Sequence, residues 1–427
     1  MKFYIETYGC QMNVADSELV ITILSTAGHT LVSDINEAEL IMFNTCSVRA
    51  HAEDRVLGRI SNERHRKKAN PSLMIGVLGC MAQRIGKRLI DGHLGIDFAI
   101  GVDQYDQLPQ ILSSGIDKEH VKLDFDSEQV YPDLMPSHQS KTCGFVTIMR
   151  GCNNFCTYCI VPHVRGRERS RPWQDVYDDV LQAGKQGLKD ITLLGQNVNS
   201  YNDADYDFSD LLRKINEIDE IERIRFITSH PKDLSFKLID TMAECSKICE
   251  HIHLPLQSGN DRVLNEMNRG YTSAHYMSLI TRLKSVIPRV AITTDLIAGF
   301  PGETDDEFKD TLSLMQEVQF DYSFCFKYSP REGTAAASFS NQIAEEIRLA
   351  RLQEMIDQQR KITLSKFRAN IGKEVEVYVE DISKKDANMV SGKTRDYKIA
   401  VLPGNSFDIG TLKTAIVREA TAGTLIC

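Results

Sequence analysis

GFVTIMRGCNNFCTYC, residues 144–159, sets a short apolar run against a loop that carries Cys152, Cys156 and Cys159. The run is too short for an ordinary helix and ends in glycine and cysteine, so it reads as a strand whose carboxyl end opens into the cysteine loop. The same order recurs downstream. DITLLG, RIRFIT, HIHLPL, VAITTDLIAG and DYSFCFK each pass into a polar peptide: GQNVNSY, TSHP, LQSGN, GFPGET and YSPREGT. Helical stretches fall between them near residues 174–186, 210–217, 234–244, 273–286 and 305–318. Six strand–helix units predict a partial or full barrel of parallel strands over residues 143–368, with its chemistry on the carboxyl ends of the strands.

Upstream, KFYIETYG, AELIMFNT and LMIGVLG alternate with helical patterns at about 16–27 and 50–68, which predicts a Rossmann-like α/β domain over residues 1–125. Each run is followed by a cysteine: Cys10, Cys46 and Cys80, spaced by 36 and then 34 residues. One strand–helix unit separates each from the next, so all three belong on the rim where an open α/β sheet holds its ligands. Cysteines at strand ends also pack in cores, and that reading competes at each position taken alone. Residues 126–142 are polar, carry two prolines and have no period, so they form a linker. A long polar helix covers 343–369. Beyond it, alternation punctuated by glycine predicts a small β-barrel of five strands over 369–427.

Composition removes several functional classes. The chain has 427 residues, 42% of them apolar, and a net charge of -9. No apolar stretch approaches the roughly 20 residues of a membrane span, and a cytoplasmic setting with no membrane partner is expected. Eleven cysteines in such a setting point to metal or catalysis rather than to disulfides. An acidic chain binds nucleic acid only through local basic patches. Two stand out. Residues 49–68 hold seven basic and three acidic side chains, and Arg165, Arg167, Arg169 and Arg171 alternate just after the cysteine loop. A charge run is also commonly a solvated helix face.

The C-x3-C-x2-C spacing admits two chemistries. Zinc in a Cys3His set completed by His163 is one. An iron–sulfur cluster held by three thiolates is the other, and it leaves one iron open to a small ligand with amine and carboxylate groups. Cys245, Cys249 and Cys325 read as packing residues.

RGCNNFCTYC resembles the signature of the radical S-adenosylmethionine superfamily, with Tyr158 as the aromatic residue before the last cysteine. The resemblance implies a 4Fe-4S cluster on Cys152, Cys156 and Cys159 that cleaves S-adenosylmethionine to a 5'-deoxyadenosyl radical within a partial (β/α)6 barrel. It also implies that Tyr158, Gln196, Asn197, Ser229, Gln257, Arg269 and Asp295 surround S-adenosylmethionine. Gln196 and Asn197 stand where the superfamily more often has an acidic ribose-binding motif. YGCQMN, FNTCSVR and LGCMAQR, taken with LLGQNVNSY, extend the likeness to the methylthiotransferase branch along essentially the whole chain, its C-terminal module resembling a TRAM domain.

Within that branch the flanking motifs look most like the MiaB type, the tRNA-2-methylthio-N6-dimethylallyladenosine synthases. This closer resemblance implies a second 4Fe-4S cluster on Cys10, Cys46 and Cys80. The implied reaction is methylthiolation at C2 of N6-isopentenyladenosine at position 37, in the anticodon stem-loop of tRNA. One S-adenosylmethionine gives the methyl group, a second gives the radical, and the second cluster passes on the sulfur. A reductant such as flavodoxin or ferredoxin and a sulfur or cluster-repair donor are expected partners. Expected RNA contacts are Asn13, Asn44, Arg165, Arg167, Arg169, Lys393 and Lys398, although asparagines at a strand–helix junction also cap helices. The C-terminal module holds eight basic and eight acidic residues, fewer positive charges than RNA-binding modules of its kind usually show. Methylthiolation of a ribosomal-protein side chain or of threonylcarbamoyladenosine, and a non-catalytic iron–sulfur or zinc protein that binds RNA, are the competing functions.

Overall fold

The computed structural model describes the whole chain except residues 48, 49, 93, 114–119 and 133 and the side chains of 50–52, 54 and 120. Strands β1 (Lys2–Tyr8), β2 (Thr30–Leu31), β3 (Leu40–Thr45), β4 (Met74–Leu78), β5 (Phe98–Ile100) and β6 (His120–Lys122) form one parallel sheet in the order 2-1-3-4-5-6. Every residue of β3 is buried, as a parallel strand covered on both faces requires. Helices α1 (Gln11–Thr26), α2 (Ala50–Ala69) and α3 (Gly79–Asp91) leave the carboxyl ends of β1, β3 and β4. The sequence places the start of α1 at Asp16, yet it begins at Gln11. Most of α1 is buried, so its first turns show no amphipathic period to read.

The central domain has six parallel strands: β7 (Cys143–Thr147), β8 (Asp190–Leu194), β9 (Arg223–Ile227), β10 (His251–His253), β11 (Ala291–Ala298) and β12 (Tyr322–Lys327). Hydrogen bonds join them as two three-stranded sheets, and an isolated parallel bridge between Ile224 and Ile248 links the halves. The first and last strands do not pair, so the barrel is partial. Leu193, Phe226, Ile252 and Leu296 fill its wall against surrounding helices.

The N-terminal sheet is fastened to this barrel by buried ions. Asp16 on α1 is fully buried and meets Arg165 Nη2 at 2.7 Å and Arg150 Nη2 at 3.1 Å. Asp103, after β5, takes both terminal nitrogens of Arg169 at 2.8 and 2.9 Å. Met12 and Ala15 lie against Phe145, Leu194 and Ile227 beside these pairs. The linker is packed down as well. The Tyr131 hydroxyl donates to the Val102 carbonyl and accepts from Tyr105 N–H, and its ring lies 4.8 Å from the Arg150 guanidinium.

A helix, Glu345–Arg368, leads to the C-terminal module. The module is a curled sheet of six strands rather than five, because Glu419–Ala420 and Leu425–Ile426 add a short pair to the four longer strands. Its hairpin at 394–398 seals the amino end of the barrel. Arg223 donates to the Lys393 carbonyl, and Arg225 donates to the carbonyls of Thr394 and Arg395 while paired with Asp190. Tyr397 stacks on His251 with centroids 4.6 Å apart. Two of the expected RNA contacts lie at this junction: Lys398 is buried against Asp321 and Asp396, and Lys393 pairs with Glu380 over the Tyr397 ring. Among the described residues no helix is long and apolar enough to cross a membrane.

Removing one partner from a buried ion pair leaves uncompensated charge, which costs about 3–5 kcal/mol. Asp16→Ala is expected to lower stability by that order in urea unfolding followed through Trp173, the single tryptophan. An unchanged midpoint would show that the clamp carries no stability.

Candidate active site

The first thiol set is built from strand ends. Cys10 caps α1, Cys46 follows β3 and donates its N–H to the Tyr8 carbonyl, and Cys80 sits in the first turn of α3. Asn13 accepts from Cys10 N–H at 3.3 Å and stands 3.4 Å from its sulfur. It then donates to Asn44, whose own amide donates to the Asn13 carbonyl and to Ser17. Gly9 makes this junction possible: at φ +143°, a Cβ there would come within 2.6 Å of Cys46 and 2.4 Å of Asn13. A hydrogen bond with Cys46, helped by the Arg165 charge, brings the Cys10 thiol down to about 6. Burial pushes the Cys80 thiol up.

The second set lies in the loop between β7 and the short helix Val161–Arg165. Gly151, at φ +78°, carries the chain past the Arg167 carbonyl, which a Cβ would meet at 1.9 Å. Its N–H donates to Gln196 Oε1 at 2.6 Å, which ties the loop to the end of β8. Asn268 donates to the carbonyls of Asn154 and Phe155, and Thr157 bonds to the backbone of Glu266 and Met267. Arg269 is buried, 3.4 Å from both the Cys156 sulfur and the Tyr158 hydroxyl, and donates to the Pro255 carbonyl. Burial pushes the Cys159 thiol up to about 12.

The remaining candidates surround this loop. Asn197 is buried with its amide nitrogen on Asp233, and among the described residues its oxygen and the buried Ser229 hydroxyl have no partner. Gln257 takes a left-handed turn, φ +70°, that stitches Asp295 and Ile297 of β11 to the end of β10. Asp295 faces His253 at 3.6 Å. His230 carries no signal in the sequence that marks it for this pocket. Burial and the nearby Arg269 charge keep it neutral, its Nδ1 accepts from Lys232 N–H, and its Nε2 has no partner. Buried polar atoms without partners are uncommon in folded proteins, and each of these can bond a polar ligand.

Each set supplies three thiols, the number that leaves one iron of a 4Fe-4S cluster open. Among the described residues no three His, Cys, Asp or Glu side chains close on a single metal position, and His163, the would-be fourth zinc ligand, is exposed. Zinc needs four donors about 2.0–2.3 Å from one point, whereas a cluster takes each thiolate on a different corner and spreads them apart. The two sets are also neighbours. Ile160 and Val164, directly after Cys159, pack in the N-terminal core with Cys80. Arg165 ends the same segment beside Asp16 and within electrostatic reach of Cys10 and Cys80. Six largely helical residues span about 9 Å.

The expected RNA contacts rearrange accordingly. Asn13 and Asn44 are fully buried, and their amides bond to each other and to the backbone of the thiol rim. Arg165 and Arg169 are buried on Asp16 and Asp103, and Arg171 on Asp179, because the alternating arginines run into the domain junction. Arg167 alone of the four is exposed. In the 49–68 run, residue 49 lies outside the described residues, while Arg59, Arg66 and Lys67 pair with Glu6, Glu63 and Asp97. That run ends at the far end of α2, about 28 Å from the cysteine rim.

Three family models match the chain: Uncharacterized protein family UPF0004 over residues 2–101, the Radical SAM superfamily over 146–315 and the TRAM domain over 368–426. The chain is similar to curated proteins named tRNA-2-methylthio-N(6)-dimethylallyladenosine synthase. That of Thermoanaerobacter sp. (strain X514) is 44% identical over 99% of this chain and 91% of its own length. That of Chloroherpeton thalassium (strain ATCC 35110 / GB-78) is 43% identical over 100% and 95%. Among solved structures, the radical S-adenosylmethionine methyltransferase TsrM of Kitasatospora setae superposes with a TM-score of 0.61 at 14% identity, covering 76% of this chain and 72% of that one. The cobalamin-dependent S-adenosylmethionine radical enzyme OxsB gives 0.55 at 14% identity, over 84% and 56%. These last two likenesses are of fold.

A lowered thiol is the more nucleophilic one at neutral pH. In cluster-free protein, iodoacetamide at pH 7 should label Cys10 well before Cys159 or Cys143, which burial pushes up to about 12. Peptide mass spectrometry reads the order, and equal labelling of the three would contradict the thiol geometry.

Proposed function

The chain belongs to the family of tRNA-2-methylthio-N6-dimethylallyladenosine synthases, a radical S-adenosylmethionine methylthiotransferase family, and from this premise we propose that it methylthiolates C2 of N6-isopentenyladenosine at position 37 of tRNA. One observation supports the reading: the segment Ile160–Arg165 runs from Cys159 of one three-cysteine set into the core that holds Cys80 of the other, which makes the two sets neighbours. Cys152, Cys156 and Cys159 would hold one 4Fe-4S cluster and Cys10, Cys46 and Cys80 a second. Bound there, the clusters and S-adenosylmethionine supply an electron, a carbon radical and sulfur, with one S-adenosylmethionine giving the methyl group and another the radical.

The chain's own residues position and shield. Arg269 lies against both Cys156 and Tyr158 and fixes the cysteine loop where a carboxylate ligand would need a cation. Ser229, Asn197 and the neutral Nε2–H of His230 offer hydrogen bonds to the ribose and amino-acid parts of S-adenosylmethionine. Gln196 holds Gly151, and Gln257 and Asp295 shape the wall opposite. The hairpin at 394–398 closes the amino end of the barrel and keeps water from entering there, as a reactive carbon radical demands. A low-potential reductant of flavodoxin or ferredoxin type and a sulfur donor complete the cycle.

Anaerobically reconstituted protein should hold about eight irons in two 4Fe-4S clusters, and a Cys152→Ala, Cys156→Ala, Cys159→Ala variant about four. Chemical iron and sulfide analysis with Mössbauer spectra measures both. In parallel, nucleosides from tRNA of a deletion strain should lack the methylthio group on isopentenyladenosine and regain it on complementation. Four irons falling to none would remove the second cluster. Intact tRNA alongside an altered ribosomal protein would move the substrate.

A further inference from the structure

Of the four arginines after the cysteine loop, Arg167 is the one whose guanidinium has no hydrogen-bond or ion-pair partner among the described residues. It lies instead over the ring of Phe155, 4.3 Å from the centroid. Phe155 stands between Cys152 and Cys156 and is 38% exposed, an unusual setting for a large ring in an otherwise well-packed loop. Its backbone is left-handed, φ +46°, which is uncommon for a residue with a bulky side chain. Two hydrogen bonds from Asn268 hold it there. The arginine's position is fixed as firmly: Cys152 N–H donates to the Gly166 carbonyl, Glu168 N–H donates to Asn153 Oδ1, and the Arg167 carbonyl rests on Gly151. A second exposed ring, Phe125, 46% accessible, lies beside Gly166, close enough that a Cβ there would meet it at 3.2 Å. Glu168, the next residue, is half buried, and burial raises its carboxyl.

A guanidinium without an ionic partner on one exposed ring, with a second exposed ring beside the neighbouring glycine, is the arrangement that binds single-stranded nucleic acid: the cation meets a phosphate and each ring stacks on a base. We propose that Phe155, Arg167 and Phe125 form the docking strip for the unpaired nucleotides of the tRNA anticodon loop next to the one being modified. The proposal rests on the tRNA function proposed for the chain and locates that substrate's path across the cysteine loop, so that the nucleotide held on Phe155 lies within one residue of Cys156.

Fluorescence anisotropy with a labelled anticodon stem-loop bearing isopentenyladenosine tests it on reconstituted full-length protein. Phe125→Ala and Phe155→Ala should each weaken binding roughly tenfold, and Phe155→Tyr should restore it, because any aromatic face stacks. Arg167→Gln should reduce the slope of log affinity against log salt by about 0.7, one phosphate contact on a single strand. Phe125 and Arg167 lie outside the cysteine loop, so their variants decide the matter even if Phe155→Ala loads less iron. Wild-type protein that binds and methylthiolates the RNA while the Phe125 and Arg167 variants bind it equally well, with the same salt slope, would overturn the docking strip and leave the function standing. Wild-type protein that neither binds nor modifies the RNA would instead overturn the function.

Discussion

One carboxylate governs the relation between the two halves of the site. Asp16, fully buried on the first helix, holds Arg150 and Arg165, and these two arginines bracket the cysteine loop on its two sides. Two charges of one sign and one of the other, all out of water, are tolerated only in a tightly defined geometry. Neither side of the loop can therefore shift without breaking an ion pair to the helix that Cys10 caps. The thiols of the first set are held in register with those of the second by electrostatics, and the apolar contacts of Met12 and Ala15 fill in beside them. Asp103 with Arg169 repeats the device further along the junction.

Much of this could be read from the residues. The six strand–loop units, the three cysteines one crossover apart and the compact C-x3-C-x2-C loop are local or periodic signals, and the fold places them on carboxyl rims as parallel topology demands. The arginines were legible as charges but not as partners. Arg165 and Asp16 are 149 residues apart and Arg169 and Asp103 are 66 apart, and nothing in a linear pattern pairs them. The partners of Lys393 and Lys398 were hidden for the same reason, since Glu380 lies across a strand pair and Asp321 in another domain. The early start of α1 was hidden because a helix wrapped on most sides has no polar face to announce its period.

The C-terminal module has a structural duty that its composition does not suggest. Arg223 and Arg225 donate to carbonyls of its hairpin, and Tyr397 closes over His251, so the module is the floor of the barrel. Its even balance of charges is consistent with this, because several of its basic groups are committed to carboxylates at the junction. Both cysteine sets lie at the opposite, carboxyl rim.

The segment Ile160–Arg165 belongs by sequence to the barrel and by packing to the N-terminal core. On the ribosome the first domain therefore cannot finish its interior when residue 125 emerges, because Ile160 and Val164 are still to come, and translation at roughly 5–20 residues per second delays them by seconds. By then Cys152, Cys156 and Cys159 have also been synthesised. The rim of Cys10, Cys46 and Cys80 is thus completed only once every cysteine of both sets exists, so vectorial synthesis does not finish one thiol set before the other.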